Sequence, residues 1–184
     1  MKKVELLAPA GSLEALQAAV MNGADAVYLG GKHYGARAFA NNFDEAEMKQ
    51  AVEYAHQYGV RVFVTVNTLI YEEEIQSCLD YIGKLQELDV DAVLLQDLGL
   101  AMLVRQRYPN LELHASTQMH IHNREGIALM KELGFQRVVL PRETGIEDIR
   151  EYAKLGMNLE VFVQGALCVS YSGQCLMSSL TLSR

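Results

Sequence analysis

Val4-Glu5-Leu6-Leu7-Ala8-Pro9-Ala10-Gly11-Ser12 decides how the chain is read. A short apolar run ends in a tight turn, and Ser12 is placed to cap a helix carrying Leu13, Leu16 and Val20 on one face. A dinucleotide-binding sheet would carry G-x-G-x-x-G at this point, and Pro9-Ala10-Gly11-Ser12 does not match it.

Further apolar runs follow at Ala26–Leu29, Val62–Val66, Ala92–Leu95, Leu111–His114, Val138–Leu140 and Leu159–Val163. Most lack strict alternation, as strands of a parallel sheet covered on both faces do. Helical segments lie between them. Asp44 with Glu47, and Thr144 with Glu147, have the spacing of a capping box; Asp97 is a further candidate cap. Gly23, Gly59, Gly134 and Gly156 stand where helices should stop. The sequence therefore predicts an α/β fold, a (β/α) TIM-barrel-like architecture of about seven units over 1–184. A full barrel has eight units and typically ~250 residues, so the expectation is an incomplete barrel, the amino-terminal fragment of a longer protein.

Composition narrows the partners. The chain has 184 residues, half of them hydrophobic and 21% charged, with a net charge of −7 and three cysteines. That excludes a disordered tail, a disulfide scaffold and a chain that grips nucleic acid by bulk positive charge. No apolar run approaches a membrane span, and the expected compartment is the cytoplasm. Nucleic acid would need a local basic patch or help from outside the chain.

In a barrel, polar residues at the carboxyl ends of strands face the functional side. Those ends supply Asn67 and Thr68, Gln96 and Asp97, His114, Ser116 and Gln118, Arg142 and Glu143, and Gln164. Singly each has a structural explanation. Together they predict a polar pocket, with Arg142 able to fork onto carboxylate or phosphate. The long connection from Gly30 to Phe43 includes Arg37, which has the same capacity. The pair His120 and His122 lacks a metal-ligand spacing and reads as loop histidines. No G-x-S-x-G elbow or HExxH helix is present.

Cys78 falls on the apolar face of a helix with Ile75, Leu79, Ile82 and Leu85, as a core thiol does. Cys168 and Cys175 instead sit among small residues after the seventh run. Their spacing leaves open whether they are soft metal ligands or buried thiols.

The stretch Glu160-Val161-Phe162-Val163-Gln164-Gly165-Ala166-Leu167-Cys168, continued by Gly173-Gln174-Cys175-Leu176-Met177-Ser178, resembles the signature of the YegQ/PrtC family. Glu5–Gly11, Gly23–Gly31 and Gly35–Ala40 are similar to it as well. The family was long catalogued as collagenase-like peptidases of unassigned mechanism. Its characterised members hydroxylate tRNA uridine or a ribosomal RNA cytidine, with prephenate implicated as hydroxyl source, or act in ubiquinone hydroxylation. The resemblance implies a barrel at the front of an RNA hydroxylation protein, tRNA being the preferred partner and a related subunit a further one. It implies that Cys168 and Cys175 are two of four ligands to a [4Fe–4S] cluster, which this chain would not complete alone. Arg37, Asn67, Gln96, His114, Arg142 and Glu143 would line the substrate pocket, and prephenate would be a co-substrate. Family members often carry His where this chain has Gln164. A peptidase and a non-catalytic RNA- or partner-binding scaffold are the alternative functions.

Overall fold

Seven parallel strands pair strictly in chain order in the computed structural model, which describes residues 4–36 and 41–175. They are β1 (Leu7–Pro9), β2 (Ala26–Gly30), β3 (Arg61–Val66), β4 (Ala92–Leu95), β5 (Glu112–Ala115), β6 (Arg137–Val139) and β7 (Asn158–Glu160). An open doubly wound sheet reverses its strand order at a switch point; this one never does, which is the barrel progression. The sheet is a curled half-barrel.

Among the described residues six α-helices connect the strands: α1 (Leu13–Met21), α2 (Glu45–Gln57), α3 (Ile75–Glu87), α4 (Leu98–Arg107), α5 (Arg124–Glu132) and α6 (Ile146–Ala153). Their starts follow local chemistry. Ser12 Oγ accepts from Ala15 N, and Asp44 and Glu47 form the reciprocal capping box. Asp97 does two jobs: one carboxylate oxygen accepts from Leu100 N to cap α4, and the other accepts from Ile70 N. Gly23, Gly59, Gly134 and Gly156 take positive φ just past their helices, where a Cβ would be strained. The second predicted capping box does not form. Thr144 N closes a turn onto Pro141 O, so Gly145 becomes the N-cap of α6 and Thr144 Oγ1 is buried without a partner.

The ends of the sheet also differ from expectation. The first run was placed at Val4–Leu7, but Leu6 N is held by the Asp25 carboxylate and the ladder begins at Leu7. The last run stops at Glu160, and Val161–Val163 are exposed. Leu140 N donates to Glu160 O, the last rung of the β6–β7 ladder among the described residues.

The period-two pleat sorts the strand residues into two cores. Val27 and Leu29, Val62, Val64 and Val66, Val93 and Leu95, Leu113 and Ala115 face the helices and join Leu16, Met48, Ile82, Val104, Ile127 and Met130. The opposite face places Ala26, Phe63, Ala92, Leu94 and Val139 inside the curl, against Leu7 and Tyr28. Cys78 is wholly buried in the outer core, and burial pushes its thiol up to about 12, so it is an inert packing group.

Candidate functional site

The concave side of the sheet is polar at two levels. Deep inside, Phe63 stands at the centre of a charged ring. The Arg61 and Arg137 guanidinium carbons lie 4.9 and 5.1 Å from its ring centroid, and His114 meets it edge-on at 4.8 Å. Arg61 pairs with Glu112 at 2.5 Å and with Glu5 at 3.7 Å. Arg137 pairs with Glu5 at 2.6 Å and with Glu160 at 3.4 Å. This ring joins Glu5, two residues before β1, to β3, β5, β6 and β7 across the curl.

His114 was expected on the rim. It lies instead inside, fully buried, because it is an inward residue paired in register with Leu94 and Arg137. Its Nε2 lies 2.9 Å from Glu112 Oε1, and its Nδ1 is buried without a partner. Burial, then the charge of Arg137, depresses the imidazole below its usual range, while Glu112 pulls the other way. The neutral ring therefore donates from Nε2 to a carboxylate. That hydrogen bond leads the causes holding Glu112 down to about 2.

The rim above is built from amides and hydroxyls. Asn67, just past β3, accepts from Ala36 N at 3.0 Å and donates to Ser116 Oγ at 3.2 Å. Ser116 Oγ also accepts from Gln118 N. Thr68 donates to Tyr34 O. Asn67 thus ties the β2–α2 connection to the end of β5, and Gln96, just past the intervening strand β4, is half-buried. The described part of the long connection lies over this rim, through Ala36 N and Tyr34 O. Arg37 falls outside the described residues.

Arg142 and Glu143 follow β6, and here the structure departs from the substrate-fork reading. Arg142 Nη2 donates to the carbonyls of both Cys168 and Ser170, and its Nε lies 3.3 Å from Glu143 Oε1. That same Glu143 oxygen accepts from Ser172 N at 3.0 Å. The two residues clasp the cysteine segment rather than an open pocket. Cys168 and Cys175 are exposed and neither is in a disulfide. Gln164 is exposed on the approach to the same segment.

Gly173 completes the fit. Its φ is +79°, and a Cβ there would overlap His120 Nε2 and stand 3.0 Å from Gln118 Cα. Gly173→Ala is expected to lift the segment off the β5–α5 connection while leaving the melting temperature within a few degrees. Faster proteolysis within 165–175 would report it; an unchanged cleavage rate would mean that the contact is dispensable. His120 is a left-handed residue held in this contact, and the His122 carbonyl accepts from Tyr152. Among the described residues no three His, Cys, Asp or Glu side chains gather as a metal centre.

Two cavities open between helices on the outer face. One, of about 470 Å³, lies between α3 and α4 beside Asp80 and Arg107. The other, of about 170 Å³, lies beside Tyr81, Phe43 and Lys32. None of the predicted site residues lines either. Sequence reasoning missed the inner ring of Arg61, Arg137, Glu5 and Glu160. Its signal was there: Arg61 is in phase with Phe63, Glu112 with His114, and Arg137 with Val139.

The model of peptidase family U32 matches residues 11–184. The chain belongs to peptidase family U32. This U32 chain is 41% identical to tRNA hydroxylation protein P1 of Bacillus subtilis (strain 168), over all of its own length and 44% of that protein's. It is 39% identical to a 23S rRNA 5-hydroxycytidine synthase of Escherichia coli (strain K12), over 99% of its length and 27% of the relative's. The solved structure of a U32 peptidase superposes with a TM-score of 0.70 at 16% identity, covering 86% of this chain and 68% of that one, which shows the shared fold. The U32 chain thus spans less than half the length of these two curated relatives. No helix among its described residues is long and apolar enough to cross a membrane.

Proposed function

We propose that the chain is the amino-terminal barrel of a cytoplasmic RNA hydroxylation protein acting on tRNA uridine. The observation that carries this reading is the 41% identity, over all of this chain and 44% of the relative, to a tRNA hydroxylation protein. The net charge of −7 fits a barrel that meets RNA with help from outside this chain, from the rest of the protein or a related subunit.

The cysteine segment fits a role as half of an iron–sulfur site. Cys168 and Cys175 are exposed thiols on a glycine-containing segment fastened at the carboxyl end of the sheet. Thiolates are the donors that a [4Fe–4S] cluster takes, and two of four would come from here. When bound, the cluster would supply one-electron chemistry. Asn67 and Gln96 offer amide donors and acceptors suited to a base edge or to the carboxylates of prephenate as hydroxyl source. His114 and Glu112 would hold the floor beneath them without touching substrate.

A strain lacking its tRNA hydroxylation proteins tests this directly, with hydroxyuridine in total tRNA measured by mass spectrometry. The full-length protein should restore the signal, while Cys168→Ser and Cys175→Ser should each lower it by at least about tenfold, as loss of a ligand does. Full restoration by both variants would overturn the cluster role, and none by wild type would overturn the substrate. The family's peptidase description supports a second reading, which turnover of collagen peptide by the same purified protein would favour.

A further inference from the structure

We infer that Arg142 and Glu143 are positioning residues for the cysteine segment, setting where Cys168 presents its thiolate, and are not substrate-binding residues. This rests on the proposal above that Cys168 and Cys175 are cluster ligands.

The argument begins with donors and acceptors. A guanidinium has five N–H donors and no acceptor, so two backbone carbonyls two residues apart suit it. Arg142 Nη2 reaches the carbonyls of Cys168 and Ser170, which fixes the backbone on both sides of Val169. Glu143 then takes the next available donor, Ser172 N, with the oxygen that also faces Arg142 Nε. The pair therefore grips three positions, 168, 170 and 172, upstream of the contact that Gly173 makes with His120. Residues 161–169 are all exposed, and Leu167, Val169 and Tyr171 point their apolar side chains to solvent at 84%, 104% and 68% exposure. Side-chain burial cannot hold this backbone in place; charge-assisted hydrogen bonds can. Arg142 is itself fixed at the base, because Pro141 and Leu140 before it are buried at the end of β6. With Nη2 on both carbonyls and Nε facing Glu143, only Nη1 is left for another acceptor, so Arg142 cannot make a two-nitrogen fork onto a substrate anion while it holds the segment.

The test uses the full-length protein, with Arg142→Ala, Arg142→Lys and Glu143→Gln. Three readouts are needed: iron and sulfide bound per chain after anaerobic reconstitution, proteolysis within 165–175 in the metal-free protein, and melting temperature. Each charge-assisted hydrogen bond is worth roughly a factor of ten in an equilibrium constant. Arg142→Ala should thus speed cleavage in the segment by about tenfold or more and cut bound iron several-fold, with little change in melting temperature. Arg142→Lys, a point donor that reaches one carbonyl, should fall between. Wild-type iron content together with wild-type cleavage in Arg142→Ala would overturn the inference. If wild type itself binds no iron, the cluster reading fails, and with it the reason to position these thiolates. A preserved cleavage effect would then show only a structural clasp.

Discussion

Phe63→Ala is expected to destabilise the protein by about 3–5 kcal/mol, the range for deleting a buried aromatic ring. Phe63 is fully buried, yet it does not lie in the core between sheet and helices. It fills the inside of the curl with Ala26, Ala92, Leu94 and Val139. Two of its neighbours in that layer are alanines, which cannot extend into the space left by a ring. Removing it also strips the face beneath Arg61 and Arg137 and the edge beneath His114. Phe63→Leu keeps most of the volume and should cost about 1–1.5 kcal/mol. Urea unfolding of both variants measures the difference. A loss below about 1 kcal/mol for alanine would mean that the inside of the barrel is not a packed layer.

The second large effect is expected from Arg137→Met. Arg137 and Glu160 expose only 11% and 14% of their side chains, and Glu5 shares the same guanidinium. Burial lowers the pKa of Arg137, and its pairs with Glu5 and Glu160 more than reverse this. Methionine replaces the stem but leaves two carboxylates facing each other, one of them already pushed upward by burial. Breaking a buried pair from one side costs about 3–5 kcal/mol near neutral pH. The sign of the pH dependence follows. A carboxyl whose pKa is higher folded than unfolded binds its proton more readily in the folded state, so stability rises as pH falls through the folded value. The variant's deficit should therefore be smaller at mildly acidic pH than at neutral pH, as Glu160 takes up its proton. Equal deficits at both would show that the carboxylates are solvated and that the ring contributes little.

Much of this was legible in the chain. The seven runs, the Ser12 and Asp44 caps and the four glycine stops are local signals, set by backbone sterics and by hydrogen bonds a few residues long. They were sufficient for element type and order. Boundaries slipped where a distant group intervened. Asp25 captured Leu6 from 19 residues away. The Thr144 box failed because a turn with Pro141 used its amide first.

The site was legible as a list and not as an arrangement. Asn67 and Ser116 were named together from strand ends, and they do meet at 3.2 Å. His114 and Arg142 were named by the same rule, but His114 is buried inside the curl and Arg142 donates to the carbonyls of Cys168 and Ser170. The physical reason is register. Whether a strand-end residue reaches the rim or the interior depends on how far its strand is staggered against its neighbours, and stagger is a property of the assembled sheet.

The sequence alone therefore determined the repeated β/α unit, the incomplete barrel and the resemblance that the family match bears out. Those depend on periodicity and on short motifs, which survive without the rest of the fold. Only the tertiary structure decided that Glu5, Glu112 and Glu160 neutralise Arg61 and Arg137 around one phenylalanine. Only it placed Arg142 on the carbonyls of Cys168 and Ser170. Those contacts join residues from 23 to 132 positions apart along the chain. Nothing local encodes such a pairing; it exists once the curled sheet brings the strands around to face each other.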